Sequence, residues 1–127
     1  MNKIILALFS IVILSSVACD SDYQLDDIAS QSDARVLMAS IDVRDVPYDS
    51  QRTFYDHSAK AIRIDILPGM DWTTFTVFVT PTLYSTMTPY GGFEQDWSSG
   101  SKSYTVTSGD GSVSNTYTVN IVEVTAF

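Results

Sequence analysis

From Ala61 to Leu67 the chain alternates, with Ile62, Ile64 and Ile66 on one parity and Arg63 and Asp65 on the other. A period of two sends successive side chains to opposite faces of a strand, so the isoleucines point to a core and the charges to water. The alternation recurs where Phe75, Val77 and Val79 interleave with Thr74, Thr76, Phe78 and Thr80. It returns with Tyr104 and Val106 in Ser103–Ser108, and with Tyr117, Val119 and Ile121 in Thr116–Thr125. Val36–Val43 places Leu37, Ala39, Ile41 and Val43 on one face, and Arg52–Asp56 is another short strand. Turn chemistry separates these runs: His57-Ser58-Ala59-Lys60, Pro68-Gly69, Pro81, Pro89-Tyr90-Gly91-Gly92 and the hairpin signal Gly109-Asp110-Gly111. Ile121-Val122-Glu123-Val124 is apolar on both faces, which predicts a bulge or a partly covered strand. About seven strands at this spacing, with no long helical repeat, predict an all-β, two-sheet sandwich over residues 35–127.

The N-terminus follows another pattern. Lys3 precedes an apolar run, Ile4–Leu14, then small residues Ser15-Ser16-Val17-Ala18, then the single cysteine of the chain, Cys19. This is the layout of an export signal. As a helix the run would reach only about 16 Å, against a hydrocarbon core of roughly 30 Å, too short for a stable span. The Ser-Val-Ala-Cys ending resembles the lipobox of bacterial lipoproteins, with Ser16 where most lipoboxes carry Leu. The resemblance implies a signal peptide over residues 1–18 and acylation of Cys19, hence membrane attachment through an N-terminal lipid.

Residues 19–34 then read as the lipidated cysteine and a tether. Asp20–Ala34 holds five Asp and no Lys or Arg, too little apolar surface to offset its ordering entropy. Asp20 and Asp22, next to the cysteine, resemble the acidic export signal of Bacteroidetes lipoproteins displayed on the cell surface. That implies the outer face of the outer membrane, the periplasmic face being the alternative. Without Lys3, six basic residues face 15 acidic ones, a formal net charge of −9, which argues against nucleic acid as a partner. One cysteine excludes a disulfide framework, so the fold must rest on its apolar core.

Four segments in order, AIRIDILPGMDWTTF, TPTLYSTMTP, EQDWSSG and YTVTSGDGSVSNTYTV, resemble a small immunoglobulin-like domain of Bacteroidetes surface lipoproteins. That domain often begins proteins bearing a carbohydrate metabolism domain, and related surface glycan-utilisation proteins. The resemblance spans roughly residues 61–121. It implies an Ig-like sandwich and a link to glycans or to a partner surface lipoprotein. Trp72 and Trp97 stand where that pattern usually has smaller apolar anchors.

Catalytic chemistry is not legible. His57 is the only histidine and falls in a polar turn, where it reads as solvated, and no Ser/His/Asp or Cys/His arrangement accompanies it. Asp110 between two glycines is explained by a hairpin turn, and Asp26-Asp27 offer no preformed cage, so neither a metal nor a cofactor is expected. The rings are the better candidates: Tyr90 and Phe93 flank a glycine pair that marks an exposed turn tip. Trp72 and Trp97 are candidates of the same kind, with core or loop-plug roles as the favoured reading. The sequence thus predicts a non-catalytic binding or spacer module at the cell surface, directed to glycan capture. The alternative is a fimbria-like assembly subunit that pairs an edge strand with a neighbour.

Overall fold

A computed structural model of the chain describes residues 32–127. Cys19, Asp20 and Asp22, the leader and most of the tether lie outside the described residues. Eight strands form two sheets: β1 (Val36–Ile41), β2 (Gln51–Asp56), β3 (Ala61–Ile66), β4 (Phe75–Pro81), β5 (Thr86–Thr88), β6 (Glu94–Gln95), β7 (Ser101–Thr107) and β8 (Ser114–Glu123). One sheet has the order β1-β4-β6 and the other β2-β3-β8-β7-β5. The architecture is the expected all-β, Ig-like sandwich. β5 and β6 are too short to leave a period in the sequence.

The inward parity is that of the sequence for β3, β4, β7 and β8. Ile62, Ile64, Ile66, Phe75, Val77, Val79, Tyr104, Val106, Tyr117, Val119 and Ile121 are all buried in one core. The long C-terminal strand does two jobs. β8 pairs antiparallel with β7 and parallel with β3, Ile64 lying beside Ile121. That parallel contact puts β3 inside the sheet, and Val122, beside Asp65 in the ladder, stands exposed.

Two details depart from the simple alternation. In β1 the pairing with β4 slips between Val36 and Met38, a bulge that takes Leu37 out of register. Val36, Ala39 and Ile41 are therefore the buried residues, whereas Leu37 and Val43, expected inside, are exposed. Asp65 lies on the outer face as expected yet is buried, because Arg63 on the same strand folds over it, its Nη2 donating to Asp65 Oδ2 at 2.7 Å. The predicted tether also ends sooner than Ala34. Ala34 is buried in the core, its carbonyl accepts from Asn115 Nδ2 at 2.9 Å, and the Asp33 carbonyl accepts from Thr82 Oγ1 at 2.9 Å.

Where β1 and β2 meet, the two sheets are joined by side chains instead of a ladder. Tyr55 Oη accepts from the Ala39 N–H at 2.9 Å, and Thr53 Oγ1 donates to the Ala39 carbonyl at 2.9 Å. Gln51 accepts from the Ile41 N–H through Oε1 at 2.9 Å. Its Nε2 donates to the carbonyls of Ile41 at 2.9 Å and Val46 at 2.8 Å. Alternate residues of one strand thus satisfy the outward backbone groups of the other, groups that would otherwise pair with a foreign strand.

These contacts predict site-specific amide exchange. Gln51→Ala should release protection of the Ile41 amide while leaving Ala39 slow, and Tyr55→Phe should do the reverse. Hydrogen exchange followed by NMR checks this, and equal protection in both variants would contradict the seam.

Candidate functional site

The loop between β5 and β6 is shaped by its glycine pair. The Gly92 N–H donates to the Val77 carbonyl at 2.7 Å, extending the antiparallel track that β6 begins along β4. A Cβ on Gly91 would stand 2.9 Å from Val79 N and 3.1 Å from Val77 O, so only glycine lets the backbone lie this close. Gly92 has φ +87°, a conformation that side chains rarely adopt. The pair pins the loop flat, and the rings at its ends stay outside: Tyr90 is 77% exposed and Phe93 50%.

The two tryptophans face the other way. Trp97 is fully buried, entering the core from the turn between β6 and β7, where its N–H donates to the Trp72 carbonyl at 2.7 Å. Its indole N–H has no partner, and Lys102 Nζ lies 5.4 Å from the ring centre. Burial of so large an apolar ring outweighs one unpaired donor. Trp72 is half-buried against Phe75, ring centres 5.8 Å apart. Of the four candidate rings, then, Tyr90 and Phe93 are open to solvent, Trp97 is enclosed and unavailable for stacking, and Trp72 braces the core.

His57 is better held than a solvated turn residue. Its Nδ1 lies 3.0 Å from Tyr117 Oη, and its ring stacks on Tyr55 with centres 6.1 Å apart. Asp110 accepts from Ser112 N–H at 2.9 Å and from the hydroxyls of Ser108 and Ser112, each at 2.7 Å, which accounts for the hairpin. Among the described residues no group of three His, Cys, Asp or Glu is arranged to hold a metal, and no helix is long and apolar enough to cross a membrane.

A concave feature with no signature in the sequence lies elsewhere. An open cleft of about 720 Å³ lies along the β1–β2 seam, lined by Met38, Val43, Tyr48, Asp49, Arg52 and Phe54 together with the seam residues. Its floor is the hydrogen-bonded seam. Its rim carries Tyr48, 85% exposed, on a 3₁₀ turn (residues 48–50) in which Ser50 N–H donates to the Pro47 carbonyl at 2.9 Å. Nothing periodic marks these residues, because the site exists only where the edges of two sheets meet. Beside it, the turn after β1 is built on Asp42, whose carboxylate accepts from the Arg44 N–H at 2.9 Å and from Arg44 Nη2 at 2.6 Å.

Arg44 holds the Asp42 carboxyl at about 2, below the ordinary 3.8. Asp33, Asp71, Asp96 and Asp110 are lowered as well, Asp33 by Arg35 and the others by turn N–H and hydroxyl donors.

Residues 39–121 match the family model described as SGBP, N-terminal. A Bacteroides thetaiotaomicron protein, described as a candidate glycoside hydrolase, superposes with a TM-score of 0.60 at 25% identity. The match covers 74% of this chain and 26% of that one, so the chain spans about a quarter of that protein's length. A candidate secreted protein of Bacteroides fragilis has a TM-score of 0.57 at 14% identity, over 72% of this chain and 96% of its own, and bears on the fold alone. No curated protein matches the chain.

Two predictions follow from the site. Gly91→Ala should lower the melting temperature, because the added methyl meets backbone, whereas the pair Tyr90→Ala and Phe93→Ala should leave it nearly unchanged; calorimetry separates the two. The lowered carboxyls contribute stability that is complete above their unfolded values near 3.8 and lost as the pH falls toward 2. Acid unfolding followed by near-ultraviolet circular dichroism should therefore steepen between about pH 4 and 2, and Asp42→Asn should flatten that slope.

Proposed function

Because this chain belongs to the SGBP, N-terminal family, we propose that it is a non-catalytic surface module concerned with glycan capture. In this reading residues 1–18 are the leader, Cys19 carries the lipid, and Asp20 and Asp22 direct the protein to the outer surface of the outer membrane. The acidic stretch up to residue 32 then spaces the domain from the bilayer, and the domain proper starts at Asp33. The observation that carries the binding role is the pinned loop. Tyr90 and Phe93 are large apolar rings left in water at the ends of a backbone course that only a glycine pair can follow. Exposed rings on a rigid turn suit stacking on sugar faces, since little conformational freedom is lost on contact.

The edge-pairing alternative has less support. It requires an open strand, and the outward groups of β1 at Ala39 and Ile41 are occupied by Gln51, Thr53 and Tyr55. Of the other edges, β5 and β6 have only three and two residues, while β2, of six, is laddered on its β3 side alone and turns its side chains to β1 on the other. Short edges are a usual protection against pairing.

Cys19→Ala tests the anchoring. The chain has one thiol, so the variant cannot accept the lipid and should move from the detergent phase to the aqueous phase on partitioning. If the variant still enters detergent, the lipoprotein reading fails. A glycan array probed with the intact protein tests the binding role, which falls if no glycan is retained.

A further inference from the structure

We propose that the cleft along the β1–β2 seam is a binding site for a neutral oligosaccharide, with Tyr48 and Phe54 as stacking surfaces and Asp49 and Arg52 as hydroxyl-binding groups. This inference rests on the glycan reading above and assigns it a place distinct from the Tyr90–Phe93 loop. The two lie at opposite sides of the three-stranded sheet, since β1 and β6 flank β4.

Size and shape fit an extended ligand. The cleft holds about 720 Å³, within the range of roughly 300–1,000 Å³ usual for small-molecule sites. It is open to solvent, so a chain of sugar rings can lie in it without being enclosed. Met38, Val43 and Phe54 are each at least half exposed in its walls, and Tyr48 is more exposed than any other large apolar residue described. A tyrosine so exposed on a rigid turn has no packing role. The backbone that carries it is preorganised: Pro47 opens the turn at φ −54°, and Gln51 closes it with three hydrogen bonds to β1 and Val46.

Chemistry selects among occupants. A peptide strand added to β1 would need its outward N–H and C=O groups, and those at Ala39 and Ile41 are already bonded to the seam residues. An acyl chain would desolvate the Asp49 carboxylate and the Arg52 guanidinium without giving either a partner. A hydroxyl-rich ring suits both: its apolar face meets an aromatic ring, and its hydroxyls donate to Asp49 and accept from Arg52. The three ion pairs among the described residues leave Arg52 out, and its guanidinium is held 4.6 Å from the centre of the Phe127 ring. One cation and one anion make the lining neutral, while the protein as a whole carries −8. That field disfavours acidic polysaccharides.

The experiment titrates the intact protein with maltohexaose, cellohexaose, xylohexaose and mannohexaose, and with polygalacturonate as an anionic comparison, by calorimetry. The expected result is binding of at least one neutral hexaose, weakened about tenfold or more by Tyr48→Ala. Asp49→Asn should weaken it less, because the amide keeps an acceptor. Melting temperatures should not move, as neither side chain is packed. Binding that survives Tyr48→Ala within about twofold overturns the cleft while the glycan reading stands, and so does a loss confined to Tyr90→Ala with Phe93→Ala. Tighter binding of polygalacturonate than of every neutral hexaose overturns the ligand class. No binding of any probe overturns both the cleft and the glycan reading.

Discussion

Three side chains of β2 hold this sandwich shut. Gln51, Thr53 and Tyr55 reach from the edge of the five-stranded sheet to the outward backbone groups of β1, the edge of the three-stranded one. A sandwich without a disulfide has nothing covalent to keep its sheets together along their open sides. Buried backbone groups there must be paired or they cost free energy comparable to a lost hydrogen bond. Here the pairing comes from polar side chains at alternate positions, the one spacing that a strand can aim at a neighbouring edge. Burial of Ala39 and Ile41, the course of the turn through Val46 and the floor of the cleft all depend on it.

The same seam separates two ways a β domain can meet a partner. Backbone pairing at β1 is closed off at Ala39 and Ile41, which leaves side-chain chemistry as the means of recognition along that edge. Among the described residues, rings stand exposed on turns at the glycine-pinned loop, with Tyr90 and Phe93, and at the rim of the cleft, with Tyr48. In each, one local device holds a ring in water: backbone contact at Gly91 in the first, a proline-initiated 3₁₀ turn in the second. Aspartates do much of the turn building. Asp42, Asp71, Asp96 and Asp110 each accept from the N–H two residues on, so part of the acidity of the chain serves local structure.

Much of this architecture is legible in the order of the residues. The isoleucines of β3, the alternation of β4 and the Tyr-Val parity of β7 and β8 each lie on the predicted side, because a half-buried strand writes its period directly into composition. The hairpin at Asp110 is local and equally readable. The bulge at Leu37 is not, since one extra residue reverses parity without altering the apolar content of the segment. Nor is the burial of Asp65, which depends on Arg63 folding across it. The rings divide in the same way. Gly91-Gly92 identifies an exposed tip at Tyr90 and Phe93, whereas the full enclosure of Trp97 is decided by the space between two sheets.

The sequence by itself determined the fold class, the strands with a clear period, the turns with their aspartates and glycines, and the presence of a leader pattern ending in Cys19. Each is a property of a short stretch, governed by the two-residue repeat of the strand or by local hydrogen bonding. Only the tertiary structure decided the parallel union of β3 with β8, the closing of β1 by Gln51, Thr53 and Tyr55, and the cleft that Tyr48 overlooks. These join residues 10 to 57 apart in the chain, and contact between such positions follows from how strands and sheets meet and not from the pattern within any one of them.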